Sequence, residues 1–407
     1  AMKSHQKYFH LTDAEGRLLP KFVTISNIES KDPQQVITGN ERVIRPRLAD
    51  AQFFFDTDRE KPLITKKESL GRLVFQDKLG TVLNKSVRVG QLSQHIAEQL
   101  SVNPAHCVRA AELAKCDLLT SMVAEFADLQ GLMGSYYAAN DGEAPEVAQA
   151  IHEQYQPRFS GDDLPASETG AILAVADKLD TMVGLFGIGQ PPTGSKDPFA
   201  LRRSAIGILR ILVEKPLELD LKWLIQTSME SFPDNLLISD TGDKVFEFIL
   251  ERFRAWYLDE GISIEEFKSV FALRPSRPLD FHRRVQAVHA FALMPEAQSL
   301  AAANKRVANI LSKQDSAAVK PVPSESLMQE SAEKALYTAI YEKELEVAPY
   351  IKQGDYQKGL TLLAELKPVI DGFFDEVLVM AEDEDIRGNR LTLLAKLQSL
   401  FLNLADI

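Results

Sequence analysis

From about Ser69 to Val213 nearly every segment repeats apolar residues at steps of three or four, and that period confines the fold to packed helices. VRVGQLSQHIAEQL sets Val89, Leu92, Ile96 and Leu100 on one face, after which Ser101-Val102-Asn103-Pro104 restarts the chain. CVRAAELAKCDLLTSMVAEFADLQGLMGSYY reads as one long helical stretch whose sparse charge suits the centre of a bundle. GAILAVADKLDTMVGLFGIG reads as another, closed by glycines and the loop QPPTGSKDP. Asp197-Pro198 is expected as N-cap and first-turn proline of the next helix, FALRRSAIGILRILV.

On either side of this core the pattern changes. YFHLT and KFVTISNI are rich in aromatic and β-branched residues, and Asp13 to Gly16 between them supply turn chemistry, which predicts a small hairpin. NERVIRPRLADAQFFFDTD predicts a helix with Val43, Leu48, Ala51 and Phe54 as core positions and a bend at Pro46. Residues 214 to 280 read as helical with two loops, and VFEFILERFRAWYLDEG is their clearest amphipathic helix. After Pro278 two helices are expected, separated by Pro295, and the polar stretch from Asp315 to Glu330 is a hinge candidate. KALYTAIYEKEL, GDYQKGLTLLAELKPVIDGFFDEVLVM and IRGNRLTLLAKLQSLFLNLADI then predict a further bundle. Its last helix buries Leu391, Leu394, Leu397, Phe401 and Leu404. The expected class is mainly α, with a β-hairpin remnant near the N-terminus.

At 407 residues two or three domains are expected. The net charge of -12 repels nucleic acid overall, so any RNA contact has to come from local basic patches. Cys107 and Cys116 match no zinc or redox spacing and fit a reducing cytoplasm, the expected location. No segment has the apolar run of a membrane helix, and AMKSHQKYFH lacks the apolar run of a signal peptide. Ala1-Met2 reads as a cloning remnant, which suggests that the chain begins inside a longer protein.

AKCDLL and VADKLDTM are the first candidates for chemistry. Both strings resemble the HD phosphohydrolase superfamily, an all-helical fold in which histidines and aspartates gather divalent metals that activate water. Carried over, Asp117 takes the Asp of the doublet and Asp177 the final Asp. Cys116 stands where the doublet's histidine belongs, and Lys85 and Ser86 stand near the earlier one. Two carboxylates without imidazoles hold a catalytic metal weakly, so no metal and no catalytic residue is expected; the acids would cap helices or form ion pairs.

Three basic clusters admit two readings each. In GSKDPFALRR, Lys196, Arg202 and Arg203 are either solvated or placed to hold phosphate at a helix start. In AAANKRVANIL, Val307, Ile310 and Leu311 are expected to pack while Asn304, Lys305 and Arg306 face outward. In IRGNRLTLLAKL, Arg387 and Arg390 lie one turn apart, as ordinary helix surface or as an RNA contact.

These strings occur jointly and in order with FVTISNIESKDPQQVITGNERVIRPRLADAQFFF, EQYQPRFSGDDLP, ERFRAWYLDEG and FFDEVLVMAEDEDIRGNRLTLLAKL. Together they resemble the β subunit of bacterial heterotetrameric glycyl-tRNA synthetase over essentially the whole chain, in its C-terminal portion. The resemblance implies a tRNA-binding subunit that does no chemistry itself. Glycine, ATP and Mg would be used at the α subunit, leaving this chain without a cofactor. It also implies a division into residues 1–61 as the end of a preceding domain, 62–279 as a degenerate HD-like domain with a helical extension, and 280–407 as an anticodon-binding bundle. The expected partners are glycine tRNA and the α subunit, with no DNA and no membrane. Asn304, Lys305 and Arg306, with Arg283 and Arg284 behind them, are the expected RNA contacts. Lys196, Arg202 and Arg203 are candidates for acceptor-side phosphates or for a structural role. The alternatives are a metal-dependent phosphohydrolase and a helical scaffold that only holds the α subunit.

Overall fold

The structure, a computed structural model, describes residues 7–314, 320 and 322–407. Ala1-Met2, and residues 315–319 and 321 of the hinge candidate, lie outside the described residues. The fold is mainly helical, and the chain divides into two compact units. One comprises residues 1–191 and 227–238, the other residues 192–226 and 239–407. Among the described residues no helix is long and apolar enough to cross a membrane.

The first unit begins with the expected hairpin. Strands β1 (Phe9–Thr12) and β2 (Leu18–Val23) pair antiparallel, with Phe9 opposite Val23. Asp13 ties the turn by accepting the backbone N–H groups of Glu15 and Arg17, and Gly16 takes a φ of +80°. The extended run predicted as far as Ile28 stops at Val23. Helix α1 (Pro33–Asp58) starts well before Val43, because the Asp32 side chain caps the N–H of Gln35 and Pro33 presets the first turn. It also passes through Pro46. Its predicted core is corrected: Ile44 and Asp58 are buried, whereas Val43 and Leu48 are 48% and 50% exposed. Helical period says that a helix has an apolar face; it does not say what covers it, and the contacts of this helix include Arg47 with Glu125, Phe55 with Tyr137, and Asp58 with the backbone of Ser121 and Met122.

Strands β3 (Val74–Gln76) and β4 (Gly80–Thr81) lead into α2 (Val82–Leu100), which Thr81 and Asn84 open with a reciprocal capping box. Val89, Leu92 and Ile96 are buried as the spacing predicted. Ser101 closes the helix in the left-handed conformation, and Asn103 and Pro104 open α3 (Pro104–Leu113). The single long helix expected from Cys107 to Tyr137 is instead broken into α3, a tight turn at Cys116–Leu119, α4 (Ser121–Glu125) and α5 (Leu132–Asn140). Buried carboxylates compete for the backbone donors. Asp58 takes the N–H groups of Ser121 and Met122 at 2.9 Å each, and Asp117 takes those of Gly131 and Gly134. After α6 (Pro145–Glu153) the chain enters α7 (Glu168–Gly187), which is buried along nearly its whole length among α2, α3 and α6.

The second unit contains α8 (Leu201–Glu214), α9 (Leu221–Glu230, shared with the first unit), α10 (Thr241–Leu250) and α11 (Arg252–Asp259). Asp197 does cap α8, accepting from the N–H groups of Leu201 and Arg202. Pro198, however, lies ahead of the helix, which begins only after Ala200 in the left-handed region. The one amphipathic helix read from VFEFILERFRAWYLDEG is interrupted at Glu251, and both halves bury aromatics, Phe246 in one and Phe253 and Tyr257 in the other.

Helices α12 (Ile264–Phe271), α13 (Pro278–Ala292) and α14 (Ala297–Leu311) follow, the last two parted at Pro295 as expected. The remaining helices are α15 (Ser331–Gln353), α16 (Tyr356–Ala364), α17 (Lys367–Glu376) and α18 (Glu384–Leu402). Pro368, in the first turn of α17, explains why the stretch from Tyr356 to Glu376 forms two helices. The predicted stripe of α18 with Leu404 is buried throughout.

Candidate functional site

Cys116, Asp117 and Asp177, the degenerate HD positions, are each bound to other groups of this chain. The Asp177 Oδ1 atom lies 3.3 Å from the Lys85 ammonium and 3.2 Å from that of Lys115. Lys85 also donates to the Asp177 carbonyl at 2.8 Å and to Thr181 Oγ1 at 2.7 Å, and it pairs with Asp180 at 3.2 Å. Arg88 clamps the other side of Asp180, Nε to Oδ1 at 2.6 Å. Burial alone would raise the Asp177 carboxyl, but Lys115, Lys85 and Lys178 hold it well below the usual range. Burial is the first cause that pushes the Lys178 amine down, to about 8, and the neighbouring lysines add to it.

Asp117 performs a different task. It accepts from the N–H groups of Gly131 and Gly134, and burial pushes its carboxyl up despite those bonds. The Cys116 thiol is pushed up to about 12 by burial and then by Asp117, so it offers no thiolate. Among the described residues no group of three His, Cys, Asp or Glu could hold a metal ion. The donor set does not fit one: ammonium groups of this chain neutralise the carboxylate that a divalent ion would need. The phosphohydrolase reading is not supported.

Most of the basic candidates are engaged inside the protein. Arg202 donates to the Gly194 carbonyl at 2.7 Å, which ties the loop before α8, while Lys196 and Arg203 are exposed. Arg283 pairs with Glu218 at 2.9 Å. Arg284 binds Asp280, the carbonyls of Asn403 and Leu404, and the face of Tyr356. Arg387 donates to the Ala381 carbonyl. Arg390 is a correction to the surface reading: its side chain is 6% exposed and is bound to Glu333 at 2.8 Å. Spacing placed it a turn from Arg387 but could not reveal a buried carboxylate on α15.

Helix α14 carries two more exposed cations. Lys305 and Arg306 face solvent, as expected, but Asn304 does not: it is 7% exposed and its Nδ2 has no partner. At the 3.6-residue period Asn304 falls on the face of Leu300 and Val307, both buried, rather than with its neighbours. The Arg306 guanidinium lies 4.2 Å from the centroid of Phe374. Lys305, Arg306, Asn309, Ile310, Lys313 and Met380 line a groove of about 440 Å³ whose lining, among the described residues, holds three cations and no carboxylate. Sequence reasoning missed Asn309, Lys313, Phe374 and Met380. The steps Lys305, Asn309, Lys313 and Ala302, Arg306, Ile310 were a readable signal for the first two, but no spacing joined Met380 to them.

Comparison with known proteins gives the family of this helical chain. The model of the DALR anticodon binding domain matches residues 300–407, and that of the glycyl-tRNA synthetase beta subunit matches residues 1–272. These matches define a component of an aminoacyl-tRNA synthetase. Relatives include the glycine–tRNA ligase beta subunits of Marinobacter nauticus (54% identical over 407 residues) and Hahella chejuensis (55% over 406). That of Pseudomonas aeruginosa strain PAO1 is 51% identical over 406 residues. Each match covers 100% of this chain and 58–59% of the relative's length. The chain belongs to the glycyl-tRNA synthetase β subunit family.

Proposed function

We propose that this chain is the RNA-holding portion of a two-subunit glycine–tRNA ligase. It grips glycine tRNA while the α subunit, using ATP and Mg, makes the glycyl ester in the cytoplasm. The observation that carries this reading is the groove on α14. In a chain of net charge -12, a groove lined among the described residues by three cations and no carboxylate lies within the segment that matches an anticodon-binding domain. Unpaired anticodon bases can stack on a guanidinium plane and be read at their edges, which suits Arg306 and Asn309. Residues 1–61 fit the end of a preceding domain. A two-stranded hairpin is marginal alone, and Leu18, Ile25, Ile28 and Phe53 stand at 73%, 74%, 75% and 65% exposure. Residues 62–279 then serve as the HD-like tRNA-binding domain and 280–407 as the anticodon-binding bundle.

The test is titration with glycine tRNA and with a non-cognate tRNA at two salt concentrations, alone and with the α subunit. Preference for glycine tRNA that persists at high salt supports base reading. Equal, weak binding of both RNAs with and without the α subunit would leave a scaffold role instead.

A further inference from the structure

The second unit carries another groove, of opposite sign. Residues of α12, α13 and α14, with Asp406 and Ile407, enclose about 360 Å³. Val288, Phe291, Ala297 and Ala301 make an apolar floor, and Glu265, Glu266 and Asp406 stand at its rim; among the described residues no lysine or arginine lines it. Glu266 is committed, accepting the Ser263 N–H at 2.7 Å and facing His289 at 3.3 Å. Glu265 and Asp406 are exposed, and their carboxylates have no ion pair among the described residues. Lys268 on α12, Glu296 before α14, and Asp259 and Glu260 ahead of α12 are further charged groups nearby in sequence.

An apolar floor under uncommitted carboxylates is the complement of a lysine or arginine side chain, whose methylene stem packs while its charged head reaches the rim. RNA is the wrong occupant, since the rim repels phosphate. We propose that this groove docks a basic, apolar segment of a protein partner, seating one Lys or Arg side chain between Glu265 and Asp406. The partner class rests on the family reading, because a β subunit works beside another polypeptide; the RNA groove on α14 is not involved.

Binding of this chain to the α subunit, measured by calorimetry, tests the proposal through two variants. Glu265→Lys with Asp406→Lys reverses the rim, and Ala301→Phe fills the floor without changing charge. Each is expected to weaken the complex at least about tenfold, about 1.4 kcal/mol, while glycine tRNA binding and the melting temperature stay unchanged. The Ala301 variant keeps the test open if the doubly reversed protein fails to fold. Acetylated Leu-Arg-Leu and Leu-Glu-Leu peptides and spermidine serve as competitors, and only the arginine peptide should displace the α subunit. Wild-type affinity in the well-folded variants, displacement by the glutamate peptide, or displacement by spermidine alone overturns the proposal. Loss of tRNA preference in the wild-type chain would count against the function proposed above and leaves this groove to be judged on the α-subunit data.

Discussion

Arg390 and Glu333 close on each other inside the second unit, nitrogen to oxygen at 2.8 Å, with 6% and 1% of their side chains exposed. Glu333 also receives the backbone N–H groups of Gln329 and Glu330, so one carboxylate starts α15 and fastens it to α18. Removing one partner strands the other charge in the interior. Arg390→Ala is expected to cost about 3–5 kcal/mol, read from urea unfolding. A loss below about 1 kcal/mol would mean that the pair is hydrated in solution.

The same pair sets a pH response. Burial would raise the Glu333 carboxyl, but hydrogen bonds from Arg390 and from the backbone hold it below its ordinary 4.5. A carboxyl lower in the folded than in the unfolded chain contributes stability above about 4.5, and that stability is lost as the pH falls through the folded value. Glu333→Gln should therefore be much less stable than the parent at pH 7, and the gap should narrow in acid. Unfolding curves from pH 7 down to pH 3 measure it, and a gap that does not change with pH would contradict the assignment.

Asp180 is the hub of the lysine-bearing cluster, 1% exposed and paired with both Lys85 and Arg88. Asp180→Ala leaves two buried cations with less compensation and is expected to destabilise by about 3–5 kcal/mol. Chelator treatment of the parent protein should leave its melting curve in place, since the positive charge in this cluster is covalent. A downward shift with EDTA, restored by manganese or zinc, would refute that account.

Gly170, in the first turn of α7, lies directly against the Glu153 carboxylate, where a methyl group would collide with Oε2. That carboxylate accepts from the N–H groups of Ala166 and Ser167, so moving it costs hydrogen bonds as well as space. Gly170→Ala should lose about 1–3 kcal/mol. Gly39→Ala, with nothing nearby, serves as the thermal-melt comparison and should not fall.

Arg284 and Lys305 should separate fold from RNA contact. Arg284→Ala removes bonds to the Asn403 and Leu404 carbonyls and is expected to lower the melting temperature. Lys305→Ala should leave melting untouched and reduce the salt slope of tRNA binding by about one. The reverse pattern would exchange their roles.

The helical class and the buried face of α18 were legible because 3.6-residue spacing reports directly on local geometry. The hairpin was legible from its turn residues. What escaped was decided by distant partners. The stretch after Cys107 has the composition of one helix and breaks because Asp58 and Asp117 take its backbone donors. Val43 has the right period and no cover, and Asn304 shares a basic tripeptide with Lys305 and Arg306 while pointing inward. Only folding brings Lys85 and Lys115 to Asp177, which no spacing along the chain could show.

Phe232 lies 4.3 Å beneath the Arg88 guanidinium, and the N–H of Ile238 bonds to the Gly187 carbonyl, so residues 227–238 complete a unit that otherwise ends at residue 191. Cutting the gene at a single codon therefore cannot isolate that unit intact. A faithful fragment has to be spliced, with the returning stretch rejoined through a short linker, or added back as a peptide whose rebinding reports how tightly the gap is sealed.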